Sequence, residues 1–157
     1  MAETANAQEI TITRVYDAPR ELVWDAWTEP AQLASWWGAQ GWTNPVDKIT
    51  LDVRPGGAFS VTSISDEDGE EMTIAGVFSE VVEPERLVLE EPAEGSWHEG
   101  AVSTVTLTDL GDGRTEMTVR TTLATTEEMR EAAEAGMKTS FDRLADHLAR
   151  SGRERVT

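Results

Sequence analysis

The chain holds two histidines, His98 and His147, and no cysteine, so thiol nucleophiles, thiolate metal sites and disulfides are excluded. His98 stands between Trp97 and Glu99, and a neighbouring carboxylate is the kind of group that holds an imidazole as a general base. It is a weak catalytic candidate, beside a buried acid shifted by desolvation, and it is set against the plainer reading of a solvated loop histidine with no partner nucleophile. His147 follows Arg143 by one helical turn and reads as a surface residue. The two histidines form neither a His-x-x-x-His nor a His-Glu-x-x-His pattern, so neither a transition-metal site nor a cofactor is expected. The acidic run Asp66-Glu67-Asp68-Gly69-Glu70 lacks the twelve-residue ligand spacing of a calcium loop and reads as a solvated turn. Gly56-Gly57 follows a proline, joins two strands and precedes neither a helix nor a lysine, so it is a turn and not a phosphate cradle. With thirty acidic side chains in the chain, neighbouring carboxylates are expected by number alone.

Binding chemistry is better represented. Five of the six tryptophans lie between Trp24 and Trp42. Trp24 and Trp27 are spaced as core residues of a helix. Trp36, Trp42 and, in a separate loop, Trp97 combine a large apolar area with one N–H donor, which suits a pocket mouth or an interface as well as plain packing. Apolar side chains expected to face inward are Phe59, Val61, Met72, Ile74, Phe78, Val105, Met117 and Val119 on strands. Met129, Met137 and Phe141 join them from a helix. Methionine and aromatic groups adapt to ligands of different shape, but the same residues fill ordinary cores.

These side chains need elements to hold them. Alternation predicts a first strand from Ile10 to Tyr16, and Asp17-Ala18-Pro19 opens a helix that Glu29-Pro30 ends. A second short helix runs from Ala31 to Trp36, followed by a loop from Gly38 to Pro45. Strands are predicted at Lys48–Val53, Ala58–Ser65, Glu71–Val82, Arg86–Glu90, Ala101–Thr108 and Thr115–Thr122, with Gly76 marking a kink or bulge. From Thr125 to Arg150, apolar or small residues at Met129, Ala133, Gly136, Met137, Ser140, Phe141, Leu144 and Leu148 form one stripe of a long helix. Arg143 and its charged neighbours fall on the solvated face. Thr125 with Glu128 reads as a capping box, and Gly152 permits a left-handed stop. Sequential strands with short turns imply an antiparallel sheet covered on one face by helices, an α+β fold.

The 157 residues fit one domain, spanning 1–157 with an ordered core of about 10–150. No run approaches the ~20 apolar residues of a membrane span, and the polar first nine residues do not read as a signal peptide, so a cytoplasmic location is expected. A formal charge of −17 works against nucleic-acid and anionic-membrane partners.

Val15-Tyr16-Asp17-Ala18-Pro19, Val23-Trp24-Asp25-Ala26-Trp27 and Trp36-Trp37-Gly38 together resemble the START-like (helix-grip, SRPBCC) superfamily. Further matches are Arg54-Pro55-Gly56-Gly57, Gly76, Glu83-Pro84-Glu85-Arg86-Leu87 and Phe141-Asp142-Arg143-Leu144 with Leu148. The likeness runs from about Ile10 to Leu148 and is strongest to the bacterial branch related to the activator of heat-shock-protein-90 ATPase. It implies a curved antiparallel sheet of about six or seven strands wrapped around a long C-terminal helix, with two short helices after the first strand. It also implies a cavity between sheet and helix for an apolar or amphipathic small molecule. In this chain that places Trp36, Trp42, Phe59, Val61, Met72, Ile74, Phe78, Trp97, Met117, Val119, Met137, Ser140 and Phe141 as ligand-binding candidates. Ser63, Thr121 and Ser140 would orient the ligand. Met137 departs from many relatives, which carry tryptophan after the glycine. Binding without catalysis is the first reading. A cyclase or dehydratase using the same cavity and a co-chaperone-like protein-binding module are the alternatives, with the chain a monomer or homodimer.

Overall fold

In the computed structural model, residues 6–38, 41–91 and 100–156 are described, with side chains over 7–38, 41–91 and 100–150. Strand β1 (Asn6–Tyr16) is followed by helices α1 (Arg20–Thr28) and α2 (Pro30–Leu33). The short strands β2 (Trp42–Thr43) and β3 (Ile49–Leu51) come next, then β4 (Ala58–Ser65), β5 (Glu71–Val82) and β6 (Arg86–Glu91). Strands β7 (Ala101–Asp109) and β8 (Thr115–Thr125) lead into the long helix α3 (Glu127–Val156). No helix among the described residues is long and apolar enough to cross a membrane.

The strands form one antiparallel sheet in the order β1-β8-β7-β6-β5-β4-β2, with β3 also paired to β4. Period-two patterning decides which face is covered. On β8, Met117, Val119, Thr121 and Leu123 point inward while the exposed Arg120 and Thr122 point out. On β1, Ile10 and Ile12 do the same against exposed Thr11 and Thr13.

Helix α3 lies on the inner face, where Phe141, Leu144 and Leu148 are buried. Two hydrogen bonds anchor this layer. Tyr16 donates its hydroxyl hydrogen to the Phe141 carbonyl at 3.1 Å, and Thr115 Oγ1 donates to the Ala18 carbonyl at 2.7 Å. Burial pushes the Tyr16 phenol well above its ordinary titration range, so it remains a donor.

Four local expectations change. Pro19 is the cap before α1 and not its first helical residue, because its backbone is extended. Thr125 ends β8 opposite Asn6, and Thr126 caps α3 instead, its hydroxyl accepting from the Met129 N–H at 3.2 Å. Helix α3 continues through Gly152, since glycine permits a left-handed stop without imposing one. The irregularity in β5 falls between Phe78 and Glu80, where the pairing with β6 shifts, and Gly76 stays in regular register opposite Phe59.

Candidate functional site

Between the sheet and α3 lies a cavity of about 590 Å³. The stripe on α3 supplies one wall through Met129, Ala133, Gly136, Met137, Ser140 and Phe141, steps of three and four that share a helix face. The sheet supplies the opposite wall through inward positions of six strands: Ile10 on β1, Phe59 and Ser63 on β4, Met72 and Ile74 on β5, Leu89 and Glu91 on β6, Ala101 and Ser103 on β7, and Val119, Thr121 and Leu123 on β8. The stretch from α1 through β2 closes one side with Trp27, Trp36, Trp37, Gly38 and Trp42.

Of the candidates read from the sequence, the structure brings Trp36, Trp42, Phe59, Met72, Ile74, Val119, Met137, Ser140 and Phe141 to this lining. Val61, Phe78 and Met117 are buried but are not part of it. Each packs among other core side chains. The Trp27 indole N–H points at Met117 Sδ at 3.4 Å, and the ring of Phe78 packs 5.6 Å from that of Phe59. Val61 sits in register with both Ile49 and Ile74. Trp97 and His98 lie outside the described residues. Met129 and Met72 line the cavity yet remain largely exposed, so they belong to its rim.

Sequence reasoning assigned Trp27 to packing, and its ring does both jobs. It is buried, 4.9 Å from the ring of Trp36 in an edge-on arrangement, and it also faces the cavity. Glu91 was legible in principle: Leu87 and Leu89 face inward on β6, so the next alternate residue does too.

The polar groups fall into two sets. Ser103 and Thr121 share a hydrogen bond at 2.8 Å across β7 and β8. Ser63 donates to Asn44 Oδ1 at 2.6 Å, and Asn44 in turn donates to the carbonyls of Trp37 at 2.7 Å and Ala34 at 3.3 Å. Buried Asn44 thereby fixes the tryptophan-bearing segment to β4. Ser140, also buried, adds a third hydroxyl side chain to the lining from α3.

Arg143 is not on a merely solvated face. Its guanidinium donates to the carbonyls of Gly38 at 2.8 Å and of Trp37 and Ser35 at 3.4 Å each. These acceptors follow the C-terminal end of α2, where backbone carbonyls lack helical partners. The long side chain reaches them across the helix flank, which periodicity alone does not show. Arg143→Met keeps the stem and removes the donors; it is expected to cost about 1.5–3 kcal/mol, read by urea unfolding. A loss below about 0.5 kcal/mol would show that water replaces the guanidinium without penalty.

The family model described as Activator of Hsp90 ATPase homolog 1-like protein matches residues 17–149. The chain belongs to that family. Solved structures similar to this Activator of Hsp90 ATPase homolog 1-like chain bear out its START-like helix-grip fold. A protein of unknown function from Staphylococcus aureus superposes with a TM-score of 0.80 at 20% identity, covering 95% of this chain and 98% of that one. A protein from Chromobacterium violaceum gives 0.78 at 24% identity, covering 89% and 96%. An AHSA1 protein from Silicibacter pomeroyi gives 0.78 at 19% identity, covering 92% and 99%. No match is found among curated proteins.

Within this family fold, Gly136 is where α3 leaves room. A Cβ built there meets no atom within 4 Å, and the residue lines the cavity. Gly136→Ala is therefore expected to stabilise the protein by about 0.5–1 kcal/mol through helix propensity and reduced unfolded-state entropy. Thermal unfolding of the variant measures this.

Proposed function

We propose that the protein binds an apolar or amphipathic small molecule in the space between the sheet and α3. The observation that carries this reading is the cavity itself: about 590 Å³ walled mainly by aliphatic and aromatic side chains, with a few hydroxyls among them. That size and lining suit a small organic ligand, whose affinity would come from apolar burial at roughly 25 cal/mol per Å². Ser140 offers a hydroxyl for orientation, and the Ser103–Thr121 pair offers a second polar point. Binding is favoured over acid–base turnover because Glu91 is the single ionisable side chain among the described lining residues.

Native mass spectrometry of gently purified protein, set against the denatured mass, tests the reading. A reproducible small-molecule adduct that is lost on denaturation supports it. The neutral fluorophore prodan provides a second readout, with saturable binding expected to the parent protein. Gly136→Phe, which projects a ring into the cavity from an open position on α3, is expected to weaken prodan at least about tenfold, equivalent to ~1.4 kcal/mol. Undiminished binding by a folded Gly136→Phe protein would move the site elsewhere.

A further inference from the structure

The two walls of the cavity end in exposed methionines. Met72 on β5 is 44% exposed and Met129 on α3 is 40% exposed, and both line the space. Met117 is 0% exposed, and Met137, about two turns further along α3, is half-buried. Antiparallel pairing sets the start of β5, the end of β6, the start of β7 and the end of β8 at one end of the sheet, and α3 begins there. Met72 is the second residue of β5 and Met129 the third of α3. The sheet wall and the helix wall therefore each bring a thioether to the same end of the cavity, in contact with both water and the space within.

We propose that Met72 and Met129 form an oxidation site that regulates the cavity: peroxide converts both to sulfoxides, and the modified rim weakens binding of an apolar ligand. This rests on the cavity being the binding site, as proposed above. In the reaction a sulfur lone pair attacks one oxygen of the peroxide. An S–O bond forms, the O–O bond breaks, and the departing hydroxide takes the remaining proton and leaves as water. Sulfur loses two electrons and the peroxide gains them. Access decides the order, so the rim thioethers convert before buried Met117. A thioether is apolar and polarizable, and it adapts its shape to the ligand it touches. A sulfoxide is polar, and covering it with an apolar body strips its water without supplying a donor. Ser63, in register with Met72, does not serve as that donor, because its hydroxyl hydrogen already goes to Asn44. The change is reversible, since methionine sulfoxide reductases restore the thioether.

The whole protein is treated with hydrogen peroxide and quenched. It is then divided between peptide mass spectrometry, which reads each methionine and tryptophan, and titration with prodan, with thermal unfolding to check that the fold is kept. Met72 and Met129 are expected to gain an oxygen atom each while Met117 stays unmodified, and prodan affinity should fall about tenfold. Methionine sulfoxide reductases should return the affinity to that of the untreated protein. The double variant Met72→Leu/Met129→Leu keeps the side chains apolar and close in volume. Whatever its own starting affinity, it should change less than about twofold on the same treatment. Sulfoxide at both positions with unchanged prodan affinity overturns the switch and leaves small-molecule binding standing. An equal loss of affinity in the double leucine variant places the sensitive group away from the rim and overturns the assignment. Failure of the untreated protein to bind prodan brings down the binding-site reading, and the switch with it.

Discussion

Gly76→Ala is expected to destabilise the protein by about 3 kcal/mol or more, a drop of roughly 6–12 °C in Tm for a chain of this size. A Cβ built on Gly76 comes within 2.0 Å of the Glu90 carbonyl oxygen, 2.9 Å of its carbon and 2.9 Å of Phe59 Cε1. Two of these three contacts are backbone, so no rotamer change relieves them. The strand must move, and β5 is held on both sides. Gly76 pairs with Phe59 on β4, and its neighbour Val77 pairs with Glu90 on β6. Moving Phe59 also disturbs the cavity it lines and its packing on Phe78. The same substitution at Gly136, on an open helix position, is expected to have the opposite sign. Urea unfolding of the two variants side by side therefore isolates close approach from glycine's general effect on the unfolded chain. A Gly76→Ala protein within about 0.5 kcal/mol of the parent would mean that the strands separate there more readily than native packing allows.

How much of this could be read beforehand depended on whether the signal was local. Strands β4 and β5 were legible end to end, since alternation sits between turns of distinctive chemistry, Arg54-Pro55-Gly56-Gly57 and Asp66-Glu67-Asp68-Gly69. In the first of these Gly56 takes a φ of 83°, which glycine alone adopts freely. Strand β2 was not legible, because two residues carry no periodicity; Trp42 and Thr43 are strand only through pairing with Ser65 and Ile64. The outer ends of β1 and β8 were missed for a related reason. Asn6 to Glu9 become strand by pairing with Thr122 to Thr125, more than a hundred residues away, and local propensity does not record that. The cavity candidates divide along the same line. The inward face of a strand is readable, so Phe59, Ile74 and Val119 were found. Place along that face is not, and Val61, Phe78 and Met117 are buried in the core yet fall outside the lining. Arg143 escaped notice because its role belongs to its tip, whereas periodicity describes only its Cβ.

Trp36→Ala is expected to cost about 3–5 kcal/mol, a large share of the roughly 5–15 kcal/mol that holds a typical domain together. The side chain is 1% exposed, and its indole N–H donates to the Ala26 carbonyl at 3.0 Å. Ala26 lies near the end of α1, so its carbonyl is among those that look outside the helix for a partner. The ring also packs 4.9 Å from Trp27, 5.9 Å from Trp37 and 6.3 Å from Phe141, tying the two short helices to α3. Trp36→Phe keeps a ring and loses the donor, and about 1–2 kcal/mol is expected from the unpaired carbonyl and reduced volume. What makes this site informative is that Trp36 is core and cavity wall at once. Deleting the indole joins its volume to the existing space, and free indole should return to it. At a free concentration of ten times its Kd, indole would restore about 1.4 kcal/mol of the variant's stability by mass action. The parent, whose own indole fills that position, should gain less. Equal gains in both proteins would place added indole elsewhere in the cavity, and no gain in the variant would mean that the vacated volume had collapsed. A wall built from core residues couples ligand size to fold stability, so enlarging the cavity at Trp36 for a bulkier ligand would be expected to lower Tm together with selectivity.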